Sequence, residues 1–154
     1  MLPEEIIEKI EFELEEIGSL FELYKDELFN LSEEPNLMEL TAFAGVLHSF
    51  YNGAEKIFLV IARNIDKKVP EGSKWHKTLL LQMTTDNKAR GAVLSEEMKE
   101  RLLDYLAFRH FFRHTYSFRL EWEEMEDLVK PISEVWNKFN SEISVFLESL
   151  RETE

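Results

Sequence analysis

Apolar residues along this chain fall into three long seams with helical spacing. The first runs through Ile7, Ile10, Leu14, Ile17, Phe21, Tyr24, Leu28 and Leu31 in alternating steps of three and four. That period predicts one long helix over about 3–31 with a single packed face. Pro3 suits a first helical position, and Glu4 and Glu5 complement the positive end of the helix dipole. Ser32-Glu33-Glu34-Pro35-Asn36 breaks the pattern, because proline cannot continue the ladder. The second seam holds Leu37, Leu40, Ala44, Leu47, Tyr51, Ala54, Phe58, Ile61 and Ile65. Gly45 and Gly53 lie inside it, each costing an isolated helix about 1 kcal/mol relative to alanine, and close approach of a neighbouring helix would explain both. The third seam is Trp122, Met125, Val129, Ile132, Trp136, Phe139, Ile143, Phe146 and Leu150, with Pro131 expected to kink or interrupt it.

Between the second and third seams the elements are shorter. Asp66 to Ser73 reads as a polar turn, and a short helix is expected over 74–84 with Trp75, Leu79, Leu80 and Met83 inward. Residues 85–94 carry turn-forming side chains and no period, so they read as a loop. Ser95-Glu96-Glu97-Met98 predicts a helix start with a capping box, and the helix it opens sends Met98, Leu102, Leu103 and Leu106 to the core before reaching Arg109. Long seams joined by short connections predict an all-α fold, an antiparallel bundle of four to five helices in one domain spanning 1–154. Aromatic residues are numerous for one small bundle, which points to a dimer interface.

Charge and composition narrow the function classes. The 154 residues carry 18 Lys+Arg against 31 Asp+Glu, a net charge of −13. That disfavours general binding to nucleic acid or anionic membrane, so any such role must be local. No cysteine is present, which removes disulfides and thiolate metal sites and suits a reducing cytoplasm. Apolar runs are too short to cross a bilayer, and the first residues lack the basic-then-apolar build of a signal peptide.

One stretch reverses the sign. From Arg101 to Arg119 there are four arginines and two histidines against a single acid, Asp104, and Arg109-His110-Phe111-Phe112-Arg113-His114-Thr115-Tyr116 is its centre. Three readings compete for it. An amphipathic helix could pack its phenylalanines and pair its arginines with neighbouring glutamates. His110 and His114, four apart, could bind a metal, although no carboxylate at helical spacing completes the ligand set. The third reading is a metal-free phosphodiesterase site: arginine grips phosphate through a planar fork, histidine moves protons near neutral pH, and RNA supplies its own 2′-hydroxyl nucleophile. On a regular helix Arg109 and His114 point about 140° apart, so a bend or wide groove is needed to join them. His48 reads as a packed or hydrogen-bonded core histidine and His76 as a surface one.

Arg109-x4-His114-x-Tyr116 resembles the motif of the HEPN superfamily, in the HepT branch of the MNT–HepT toxin–antitoxin systems, and His110 matches the polar residue that often follows the motif arginine. Requiring the tyrosine makes the pattern far rarer than the arginine–histidine spacing alone. The resemblance implies a dimerising helical bundle and a metal-independent endoribonuclease with no cofactor. It implies that Arg109 holds and polarises the scissile phosphate of an RNA substrate while His114 acts as general acid or base. His110 and Arg113 would orient substrate. Tyr116 corresponds to the tyrosine that a nucleotidyltransferase antitoxin, MNT, modifies with adenylate, and phosphates added there would repel RNA. A related expectation keeps the fold without the activity: a helical module that only docks onto a nucleotidyltransferase.

Overall fold

A computed structural model describes residues 1–152, and its elements there are helical: α1 (Pro3–Leu23), α2 (Lys25–Phe29), α3 (Leu37–Ile61), α4 (Trp75–Gln82), α5 (Glu96–Arg113), α6 (Trp122–Val129) and α7 (Ile132–Glu152). A π-helical turn, Ala62–Asp66, extends α3, and a 3₁₀ turn, Ser117–Arg119, follows α5. The fold is an all-α bundle. Its centre is α3, which packs against α1, α4, α5 and α6. The single seam expected for α3 understates its burial, since Phe43, Val46, Phe50 and Ile57 are also enclosed. Phe50 is the hub of the core: it meets Phe21 of α1 at 5.8 Å, Tyr105 of α5 at 5.5 Å and Phe139 of α7 at 5.9 Å, all edge to face. Such pairs each add about 0.5–1.5 kcal/mol beyond their burial.

The helix expected over 3–31 is instead two, since the chain leaves α-geometry at Tyr24 (φ −103°, ψ 9°) before α2 resumes. The seam survives the break, with Tyr24, Leu28 and Leu31 still packed on the core. Asn36, part of the predicted break, builds a full capping box: its side chain accepts from Glu39 N at 2.9 Å and Glu39 returns the bond to Asn36 N at 3.1 Å. The box predicted at Ser95 is only half formed, because its third helical position is Met98. Ser95 Oγ accepts from Met98 N, and Glu142 of α7 takes the other role by accepting from Ser95 N at 2.7 Å and Oγ at 2.9 Å. Pro131 separates α6 from α7 as expected.

The two glycines of α3 differ. A Cβ on Gly53 would lie 2.6 Å from Ile17 Cγ1, so α1 and α3 do approach closely there. A Cβ on Gly45 would meet nothing within 4 Å, which corrects the expectation of close approach at that position.

The loop between α4 and α5 is aperiodic in sequence yet tightly tied. Arg90 donates through Nε to Asp66 Oδ1 and through Nη2 to Asp66 Oδ2, both at 2.8 Å, and its Nη1 donates to the carbonyls of Thr85 and Gly91. Gln82 and Asn87 add donors to the same carboxylate. Burial pushes the Asp66 carboxyl upward, but the bonds from Arg90, Gln82 and Asn87 and the Arg90 charge outweigh it and hold it below its usual value. A depressed carboxyl contributes stability above its unfolded value, and that contribution is lost as pH falls through the lower folded one.

Two stability tests follow from this packing. Gly45→Ala should raise unfolding free energy by about 1 kcal/mol while Gly53→Ala lowers it by about 1–2 kcal/mol, read by urea titration. Equal shifts would contradict the packing at Gly53. Asp66→Ala should cost about 3 kcal/mol at pH 7 by stranding Arg90, and the gap from wild type should narrow below pH 4.

Candidate functional site

Along α5 the buried stripe reads Met98, Leu102, Tyr105 and Arg109, in steps of four, three and four. Arg109 therefore occupies a core position, and its side chain is only 9% exposed. A guanidinium so enclosed needs an opposite charge. Glu55 supplies it from α3, where it lies one helical turn past Tyr51 on the enclosed side of that helix. Its Oε1 is 3.0 Å from Arg109 Nη1. That nitrogen lacks an aligned hydrogen bond, so the contact is an ion pair held by packing. The Tyr51 ring lies 5.8 Å from the guanidinium carbon and adds a cation–π contact. Burial, and then the Glu55 charge, push the Tyr51 phenol well up, so it stays neutral.

The other oxygen of Glu55 holds His76. Oε2 lies 2.8 Å from His76 Nδ1, and the His76 side chain is 27% exposed. A carboxylate paired with arginine accepts, so Nδ1 carries the proton in this bond. The reading of His76 as a surface residue is thus corrected: its partner lies 21 positions back on another helix, where spacing within its own segment could not show it. Glu55 accordingly joins α3, α4 and α5 through one carboxylate.

Above this cluster α4 and α5 leave a groove of about 510 Å³. Its charged lining consists of Lys74, His76, Lys77, Arg109, His110 and Arg113, with no aspartate or glutamate. Leu103, Leu106 and Ala107 form an apolar side, and Ser73 completes the rim. Among the described residues Lys74, Lys77 and Arg113 have no carboxylate partner. On a chain of net charge −13 this groove is a local anion trap. Lys74, Lys77, His76 and Glu55 were not singled out from sequence. The signal for Glu55 was present: a charge on the enclosed side of α3, opposite another on the core stripe of α5.

The motif residues divide between the groove and the end of α5. Arg109, His110 and Arg113 line the groove. His114 is the C-cap, already out of helical geometry at φ −115° and ψ 8°. It is exposed, and its ring meets that of His110 edge to face at 4.7 Å. Arg109 thus has Glu55 and Tyr51 as partners, while His114 has His110, and His110 bridges the two halves of the motif. Cationic side chains in the last turn also suit the negative end of the α5 dipole. Tyr116 lies beyond, 71% exposed and stacked on Phe118 at 5.4 Å.

His48 behaves as a packed histidine. Its Nε2 accepts from Asn52 Nδ2 at 3.0 Å, and its ring sits 5.7 Å from that of Phe112. Burial first, then the charges of Arg109 and Arg113, lower its pKa. Among the described residues no three histidine, aspartate or glutamate side chains gather as a metal set, so His110 and His114 have no third protein ligand.

No helix among the described residues is long and apolar enough to cross a membrane. Comparisons with curated proteins and with solved structures return no significant match. A family model described as "HepT-like protein" matches residues 42–150, from early α3 almost to the end of α7. That stretch covers more than two thirds of the chain and contains Glu55, the groove and the whole Arg109–Tyr116 motif, and by it the chain belongs to the HepT-like family.

Proposed function

We propose that this protein is a metal-independent endoribonuclease toxin, working in the cytoplasm as a homodimer under a nucleotidyltransferase antitoxin that adenylates Tyr116. The observation that carries the reading is the acid-free groove, lined by three motif residues on an otherwise acidic chain. Membership of the HepT-like family supports the toxin class.

In this reading an RNA phosphodiester lies in the groove mouth. Arg109, held from behind by Glu55, polarises the phosphate and stabilises the charge that builds on it, while Arg113 and His110 orient the strand. The 2′-hydroxyl oxygen attacks the adjacent phosphorus and loses its proton. The bond to the 5′-oxygen breaks, that oxygen gains a proton, and a 2′,3′-cyclic phosphate remains. His114, exposed and beside His110, serves as the acid or base for one of these transfers. Tyr116 is accessible to a modifying enzyme, and adenylate attached there would set phosphate against the groove's cations.

Purified protein in chelator should cleave RNA to cyclic-phosphate ends, and His114→Ala should lower the rate by about 10²–10⁴ with the circular dichroism spectrum unchanged. If both proteins are equally inactive while a nucleotidyltransferase complex still forms, the chain is a docking module instead. Tyr116→Phe should keep cleavage but accept no adenylate from that partner, as judged by mass spectrometry. Adenylate found on another residue of the variant would remove Tyr116 from the scheme.

A further inference from the structure

The groove is larger than one phosphate requires, and its composition is two-sided. Its volume of about 510 Å³ falls in the range of roughly 300–1,000 Å³ typical of small-molecule pockets. Along α5, Leu103, Leu106 and Ala107 present an apolar strip next to Arg109 and Arg113. Leu103 and Leu106 are half-buried and Ala107 is exposed, so this strip remains in contact with solvent. Across from it, Lys74 and Lys77 at the start of α4 bring two charges without carboxylate partners. A bare anion site has no use for an apolar wall. A nucleotide has both halves of the match, a flat apolar base and a phosphate at its edge.

We infer that the α4–α5 groove is a nucleotide subsite of the RNA-binding surface: the apolar strip seats the base next to the cleaved bond, and Lys74 and Lys77 grip the following phosphate. This rests on the ribonuclease reading and adds to it. The motif side chains act at the scissile phosphate, while the lysines of α4 hold the strand one nucleotide away. The substrate is then single-stranded at this point, since a base in a duplex cannot turn its face to a protein wall. A second fixed phosphate also explains how so acidic a chain holds RNA: the contacts concentrate in one acid-free groove instead of spreading over the surface.

The test uses a short, fluorescent, fully 2′-O-methylated RNA, which binds but cannot be cut because the nucleophile is blocked. Lys74→Ala/Lys77→Ala in the full chain should weaken binding about tenfold. It should also reduce the slope of log K against log salt by about 1.4, at roughly 0.7 per phosphate contact on a single strand. Lys9→Ala/Lys25→Ala, on α1 and α2, should change neither value. An oligomer of equal length carrying no bases should bind wild type about tenfold more weakly. Unchanged affinity and slope in the Lys74/Lys77 variant would overturn the subsite even if wild type cleaves RNA. Equal affinity for the base-free strand would overturn the base seat. Wild type that cleaves nothing and binds neither strand would remove the ribonuclease reading together with the subsite.

Discussion

A single carboxylate in the middle of the central helix fixes the geometry of the candidate site. Glu55 is buried, and each of its oxygens faces a cationic or proton-bearing partner, Arg109 at 3.0 Å and His76 at 2.8 Å. Enclosing a carboxylate or a guanidinium alone costs several kcal/mol, so neither would stay buried without the other. Mutual attraction offsets that cost only where the packing holds the pair in register, and Tyr51 beneath the guanidinium provides such packing. A buried ion pair is weak as a source of stability and strong as a specifier of position. Here it sets where the motif arginine of α5 stands relative to α3 and α4. The Asp66–Arg90 pair does a similar task for the loop that leads from α4 into α5. The groove is thus framed by two buried ion pairs, one under its floor and one in the connection behind it.

Charge is sorted by place. Most of the 31 acids lie on exposed faces, where they keep the chain soluble and repel nucleic acid in general. The groove excludes them, and the lysines and arginine at its rim keep their full fields because no carboxylate pairs with them. His48, behind α5, registers the same field: Arg109 and Arg113 both depress its pKa. Its neutral ring then packs on Phe112 without adding a further buried charge. A site arranged this way favours ligands that reach inside the groove over those that only approach the surface.

Much of the fold was legible because helical burial repeats. The seams at Ile7–Leu31 and Trp122–Leu150 appear in the core nearly as read, and Pro131 interrupts the second where a missing N–H requires it. Departures came where tertiary partners override local pattern. Helix α3 is enclosed on several sides, so a one-face reading missed Phe50, the residue that joins four helices. The capping partner of Ser95 comes from Glu142, 47 positions away, beyond any local window. In the site, Arg109 as the conspicuous residue was legible from charge reversal, but its burial was visible only by placing it on the core stripe of α5. His76 was misread for the same reason that Ser95 was: its partner belongs to another helix. The linking role of His110 followed from the end of α5 at Arg113, which releases His114 from helical spacing and corrects the 140° argument.

The account's central claim is that Glu55 acts on RNA only through the position it gives Arg109. A double-mutant cycle on RNA cleavage tests this most directly, using Glu55→Gln, Arg109→Ala and the combined variant, each confirmed folded by circular dichroism. The account predicts that Glu55→Gln alone lowers kcat/KM at least about tenfold, and that adding it to Arg109→Ala lowers it no further. Losses that multiply in the combined variant would show the two side chains acting independently, and would contradict the claim.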